Sequence, residues 1–127
     1  GYAVAHPPMA AALRKTAIPF GVNSLAQVAA IASLEAADEL DVRVKEIVAE
    51  RERVVAALRE QGWDLPDTQA NFVYFPLAER TAEFAATCQD AGLTVRPYGD
   101  DGARATIGET EANDRLIEVC AAWIGAS

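Results

Sequence analysis

The spacing of apolar residues changes from helical to strand-like partway along the chain. From Glu39 to about Gln61, Leu40, Val44, Ile47, Val48, Val54, Val55 and Leu58 recur at helical intervals, while Glu39/Arg43 and Asp41/Lys45 form i,i+4 charge pairs on the other side. Gly62 is placed to end this helix in a left-handed conformation. Upstream, Ser24-Leu25-Ala26-Gln27 reads as a capping box with Ser24 at the N-cap and Gln27 reaching back. The helix it opens, to about Ala37, is apolar on most sides and is therefore expected to be largely buried. Asp38 marks a break or kink before the next helix. Met9 to Ala17 reads as a short helix between Pro8 and Pro19, and Gly1 to Ala5 as an edge strand or lead-in segment.

Beyond Trp63 the period shortens. Ala70 to Phe75 is rich in strand formers and is closed by Pro76. Glu79 to Ala91 is amphipathic, carries Phe84 and Cys88, and ends at Gly92. Two strand-like runs follow, Leu93 to Pro97 and Ala103 to Ile107, joined by Tyr98-Gly99-Asp100-Asp101-Gly102. Those joining residues supply turns and positive φ, so the stretch predicts a hairpin with a long loop. A last helix from about Glu111 to Ile124 places Leu116, Val119, Cys120 and Trp123 on one face. The order ααα-βαββα gives the α+β class: one domain, with a small sheet and helices packed on one of its faces.

Composition narrows the function classes. With 51% hydrophobic but only 7% aromatic residues, the core of this 127-residue chain is expected to be mostly aliphatic. A net charge of −8 leaves no basic stripe to neutralise phosphates, so nucleic acid is not an expected partner. No apolar run of membrane-spanning length occurs, and without a basic-plus-apolar leader a cytoplasmic location is expected. The start on Gly1 instead of Met reads as a cut from a longer parent or a removed tag. Cys88 and Cys120 are far apart and outside any CxxC pattern, which predicts two buried reduced thiols and neither a metal site nor a disulfide. His6, the one histidine, precedes a proline pair and reads as a loop residue, not a general base. The charge run from Glu46 to Arg53 reads as a solvated helix face in preference to a partner-binding one.

The candidate chemistry lies in Thr94 to Gly108, where Arg96 and Arg104 flank the turn. Two guanidinium groups brought together need an anion. It is either a carboxylate of this acidic chain, in a surface salt bridge, or a carboxylate or phosphate of a ligand held in a bidentate fork. Asn71, the odd polar residue in an apolar strand, either satisfies backbone or lines a site.

Arg104-Ala105-Thr106-Ile107-Gly108, followed by Glu109-Thr110-Glu111-Ala112-Asn113-Asp114, resembles the C-terminal signature of pyridoxal-phosphate-dependent aminotransferases of the histidinol-phosphate and aromatic amino-acid branch. Ile18-Pro19-Phe20-Gly21-Val22-Asn23-Ser24-Leu25-Ala26-Gln27 and Gln69-Ala70-Asn71-Phe72-Val73 resemble that branch too. The likeness runs over essentially the whole chain but covers only the last third or so of such an enzyme. It implies the small domain of the aspartate-aminotransferase-like fold, with the large cofactor-binding domain outside this chain.

The resemblance also assigns roles. It implies transfer of an amino group between an aromatic amino acid, or histidinol phosphate, and 2-oxoglutarate by a homodimeric enzyme using pyridoxal 5'-phosphate. Arg104 matches the arginine that grips the acidic end of the substrate, and Arg96 falls where the histidinol-phosphate branch has a second arginine. Asn71 and Tyr98 are pocket-edge candidates. The Schiff-base lysine would precede Gly1, and the phosphate-holding arginine would sit just before Gly1-Tyr2. Lys15 and Lys45 lack the lysine motif, so no catalytic or cofactor-binding residue is expected here, and no cofactor on the isolated chain. Two other readings stay open. One is a stand-alone, non-enzymatic amino-acid-binding or regulatory module; the other is a dimerisation piece built on the Glu39 to Gln61 helix.

Overall fold

The structure is a computed structural model that describes residues 3–125. These divide into two compact units, one up to Leu40 and the other from Asp41 onward. The expected segment Gly1 to Ala5 lies partly outside the described residues and the Gly1-Tyr2 match wholly so, while Ala3 to Ala5 carries no regular structure.

In the first unit, α1 spans Pro7–Thr16 and α2 spans Ser24–Glu35. α1 begins two residues earlier than its apolar pattern suggested because prolines fit the first helical turn, where a backbone N–H has no partner anyway. The cap of α2 is Asn23, not Ser24. Asn23 Oδ1 accepts from the Ala26 N–H at 2.8 Å, and Gln27 Nε2 reaches back to the Val22 carbonyl at 3.0 Å. Asn23, one position earlier, makes an equally good cap, but the box is not closed: its N3 residue is Ala26, and Gln27 instead ties back to the residue before the cap. The burial expected for α2 is overturned. Leu25 is 81% exposed, and Val28, Ile31 and Leu34 are exposed as well.

α3, Ala37–Glu60, crosses the boundary between the units. In the second unit it ends in a Schellman arrangement, with Gly62 at φ 99° and the Trp63 N–H donating to the Leu58 carbonyl. Then follow β1 (Phe72–Pro76), a short 3-10 turn (Ala78–Arg80), α4 (Thr81–Asp90), β2 (Arg96–Tyr98), β3 (Gly102–Thr106) and α5 (Thr110–Gly125). The α+β class and the βαββα order hold. The sheet is antiparallel in the order β1-β3-β2.

The hairpin is tighter than its sequence suggested. Tyr98 pairs with Gly102, and the Asp101 N–H donates to the Tyr98 carbonyl, with Gly99 at φ 53° in the turn. Leu93 and Val95 lie outside the strand yet still pack against the core.

One sheet face carries Val73, Phe75, Ala103 and Ala105 into that core, where they join Val54 and Leu58 of α3, Phe84 and Cys88 of α4, and Leu116, Cys120 and Trp123 of α5. The centre is more aromatic than the composition implied. Phe84 lies tilted against Phe75 at 5.0 Å and meets Trp63 and Trp123 edge-on at 5.8 and 5.4 Å. Cys88 and Cys120 are buried and free, as expected.

The Glu46 to Arg53 run is not simply a solvated face. Arg51 is 7% exposed and donates to the Ala70 carbonyl, while Glu50 accepts from Arg53 and from the buried Asn113 of α5. Asn113 also exchanges two hydrogen bonds with the backbone of Gly108, just after β3. This side chain therefore ties the turn that leaves β3 to α3.

Candidate functional site

Strand alternation decides which side chains meet. With Val73, Phe75, Ala103 and Ala105 in the core, Phe72, Tyr74, Arg96, Tyr98 and Arg104 occupy the opposite face of the sheet. The register puts Arg104 at the centre of that face, as the Cα partner of Tyr74 on one side and of Arg96 on the other. The two arginines singled out in the sequence are thus brought together as direct cross-strand neighbours. Tyr98, two residues along β2, shares their face. Asn71 does not join them: it precedes β1, its carbonyl accepts from the Ile107 N–H, and its side chain is exposed.

The acidic chain does not neutralise this pair. Among the described residues the ion pairs involve Lys45, Arg53, Arg59, Arg80 and Arg115, and neither Arg96 nor Arg104 takes part. The salt-bridge alternative left open by the sequence is therefore not realised at either arginine. Rings take the place of carboxylates. Arg104 Cζ lies 5.2 Å from the centroid of the Phe72 ring, and Arg96 Cζ lies 5.4 Å from that of Tyr98. Arg104 Nε is buried without a hydrogen-bond partner, an N–H donor with no acceptor of its own. Tyr74 and Tyr98 approach with centroids 6.4 Å apart.

Phe72, Tyr74, Tyr98, Asp101 and Arg104 line a shallow recess of about 330 Å³. A larger one, about 530 Å³, is lined by residues of α3 and of the segment entering α5, among them Arg43, Glu46, Glu50 and Thr110. Its carboxylates oppose an anion, and Glu50 is already engaged by Arg53 and Asn113. The arginine face is the better anion site: it has a guanidinium pair, aromatic walls and an unpaired buried donor, and its one lining carboxylate, Asp101, makes no ion pair with either arginine.

Phe72 and Tyr74 were missed in the sequence, although a signal existed. They alternate with the apolar Val73 and Phe75, so an in-out reading of the strand sets both rings on the arginine side.

Comparison with known proteins matches this chain to one family. The sequence profile of "Aminotransferase class I and II" matches residues 1–119. An aromatic amino acid aminotransferase of Streptomyces avermitilis is 62% identical over 119 residues, 94% of this chain and 33% of that protein. One of Mycobacterium sp. strain KMS is 52% identical over 125 residues, 98% of this chain and 35% of that protein. The chain spans about a third of the length of the curated relatives it matches. Among solved structures, the histidinol-phosphate aminotransferase from Clostridium acetobutylicum superposes with a TM-score of 0.75 at 19% identity, covering 94% of this chain and 39% of that one. At that identity the likeness speaks for the fold.

Proposed function

Since the chain belongs to the class I and II aminotransferase family, we propose that it is the C-terminal small domain of an enzyme that moves an amino group between an aromatic amino acid and 2-oxoglutarate. The relatives named aromatic amino acid aminotransferase support that substrate class over histidinol phosphate. A homodimeric parent, as the resemblance implies, and a cytoplasmic location belong to the same proposal.

The observation that carries the role of this chain is the unneutralised Arg104. Its guanidinium presents a planar fork that matches a carboxylate, and its neighbour Arg96 adds a second positive charge to the same face. Holding the acid end of the substrate fixes where the amine or keto carbon lies, a gain from orientation. Tyr98 borders the grip, and Asn71 keeps at most an edge role.

Pyridoxal phosphate, general to this family, supplies the electron sink for amino transfer. The residues of this chain do not fit a site for it. Such a site needs a desolvated lysine amine beside a phosphate anchor. Lys45 is instead 74% exposed and paired with Asp41 at 2.6 Å, and Lys15 is exposed on α1. The lysine that binds the cofactor is therefore assigned to the remainder of the parent.

Two experiments test this reading. Mixed with pyridoxal phosphate and borohydride, the 127-residue chain is expected to yield no adduct and no turnover; an adduct at a single lysine with transaminase activity refutes the assignment. In the full-length enzyme, Arg104→Ala should raise KM for aromatic 2-oxo acids by about tenfold or more, the loss of a charge-assisted bidentate contact. Unchanged kinetics remove Arg104 from the site.

A further inference from the structure

Directly opposed like charges destabilise a sheet, and Arg96 faces Arg104 as its cross-strand partner. A bound anion relieves this repulsion only while it is present, so between turnovers something else must keep both guanidinium groups on the sheet. Phe72 and Tyr98 are placed to do so. One ring lies against each arginine, at 5.2 and 5.4 Å, and both stand on the face that points away from the core. A carboxylate in their place would compete with the substrate for the fork. An aromatic face attracts the cation through its quadrupole and leaves every N–H free to donate.

The geometry points to Phe72 as a positioning residue for Arg104, an aromatic platform that holds the guanidinium in place of a carboxylate so that the substrate acid finds the fork preset and unoccupied. Tyr98 plays the same part for Arg96. The inference rests on the reading of Arg104 as the acid-binding group and adds a specific consequence: the ring, not its bulk, sets the affinity for the acid.

Kinetics of the full-length enzyme separate the two claims, with Phe72→Leu, Phe72→Tyr and Arg104→Ala measured side by side. Phe72→Leu keeps an apolar side chain of similar size and loses the quadrupole. It should raise KM for the 2-oxo acid about threefold to tenfold with kcat nearly retained, and Phe72→Tyr should restore the KM. Should Phe72→Leu fold poorly, Phe72→Trp, whose ring binds cations best, should keep KM at or below that of the unsubstituted enzyme. If Arg104→Ala raises KM while Phe72→Leu leaves it unchanged, the platform is overturned and the acid grip stands. A Phe72→Trp variant whose KM rises as far as that of Arg104→Ala also overturns it. If Arg104→Ala itself has no effect, the functional reading fails first.

Discussion

Asn113 Nδ2 of α5 donates to Glu50 Oε2 of α3 at 2.8 Å, while the same amide closes on both backbone groups of Gly108 at 2.9 Å. Asn113 is 1% exposed, so its own amide has these partners in place of water. Truncation to Ala leaves the Gly108 N–H and one lone pair of Glu50 short of partners. Asn113→Ala is expected to cost about 2–3 kcal/mol, read from the urea midpoint.

The same contact gives an acid dependence. Hydrogen bonds from Arg53 first and Asn113 second hold the Glu50 carboxyl down at about 2, against an ordinary 4.5. Below 4.5 the unfolded chain takes up a proton that the folded chain refuses, so stability rises with pH across that window. The contribution of Glu50 is full above about 4.5 and is lost as pH falls toward about 2. Glu50→Gln should flatten the urea midpoint between those values; an unaltered slope contradicts the assignment.

Gly102 has no room for a side chain. A Cβ there would run into the Phe75 carbonyl oxygen and come within 2.7 Å of the Tyr74 hydroxyl oxygen. The first obstacle is backbone of the neighbouring strand and cannot step aside. Gly102→Ala should lower stability by about 2–4 kcal/mol in thermal unfolding, whereas Gly99→Ala meets no atom and carries only the strain of its φ of 53°.

Burial pushes the Cys88 thiol up to about 11, and burial together with the neighbouring Cys88 pushes Cys120 well above the usual thiol range. Thiolate is the reactive form, so both should resist alkylation at neutral pH in the folded chain and react at once in denaturant. Rapid labelling of either under native conditions would contradict the packing of α4 against α5.

How far the sequence could be read follows from what each feature depends on. The arginine pair was legible because glycines at 99 and 102 force a turn that brings Arg96 and Arg104 level. Strand parity then held both rings within reach of reading. The exposure of α2 was not legible. An apolar helix states a demand for cover, not which residues supply it, and Leu25 and Ile31 find none among the described residues. Asn113 was hidden for a different reason. A polar residue in the first turn of a helix looks like a surface choice, and only the arrival of Glu50 from 63 positions upstream makes it a core one.

The central claim, that Arg104 receives the acid group of the substrate, is tested most directly by a crystal structure of the full-length enzyme with 3-phenylpropionate, an unreactive aromatic acid. The expected result is its carboxylate in a two-bond fork on Arg104 at about 2.7–2.9 Å, with the guanidinium still lying on the Phe72 ring. A carboxylate bound elsewhere, with Arg104 turned to a carboxylate of the protein, would contradict it.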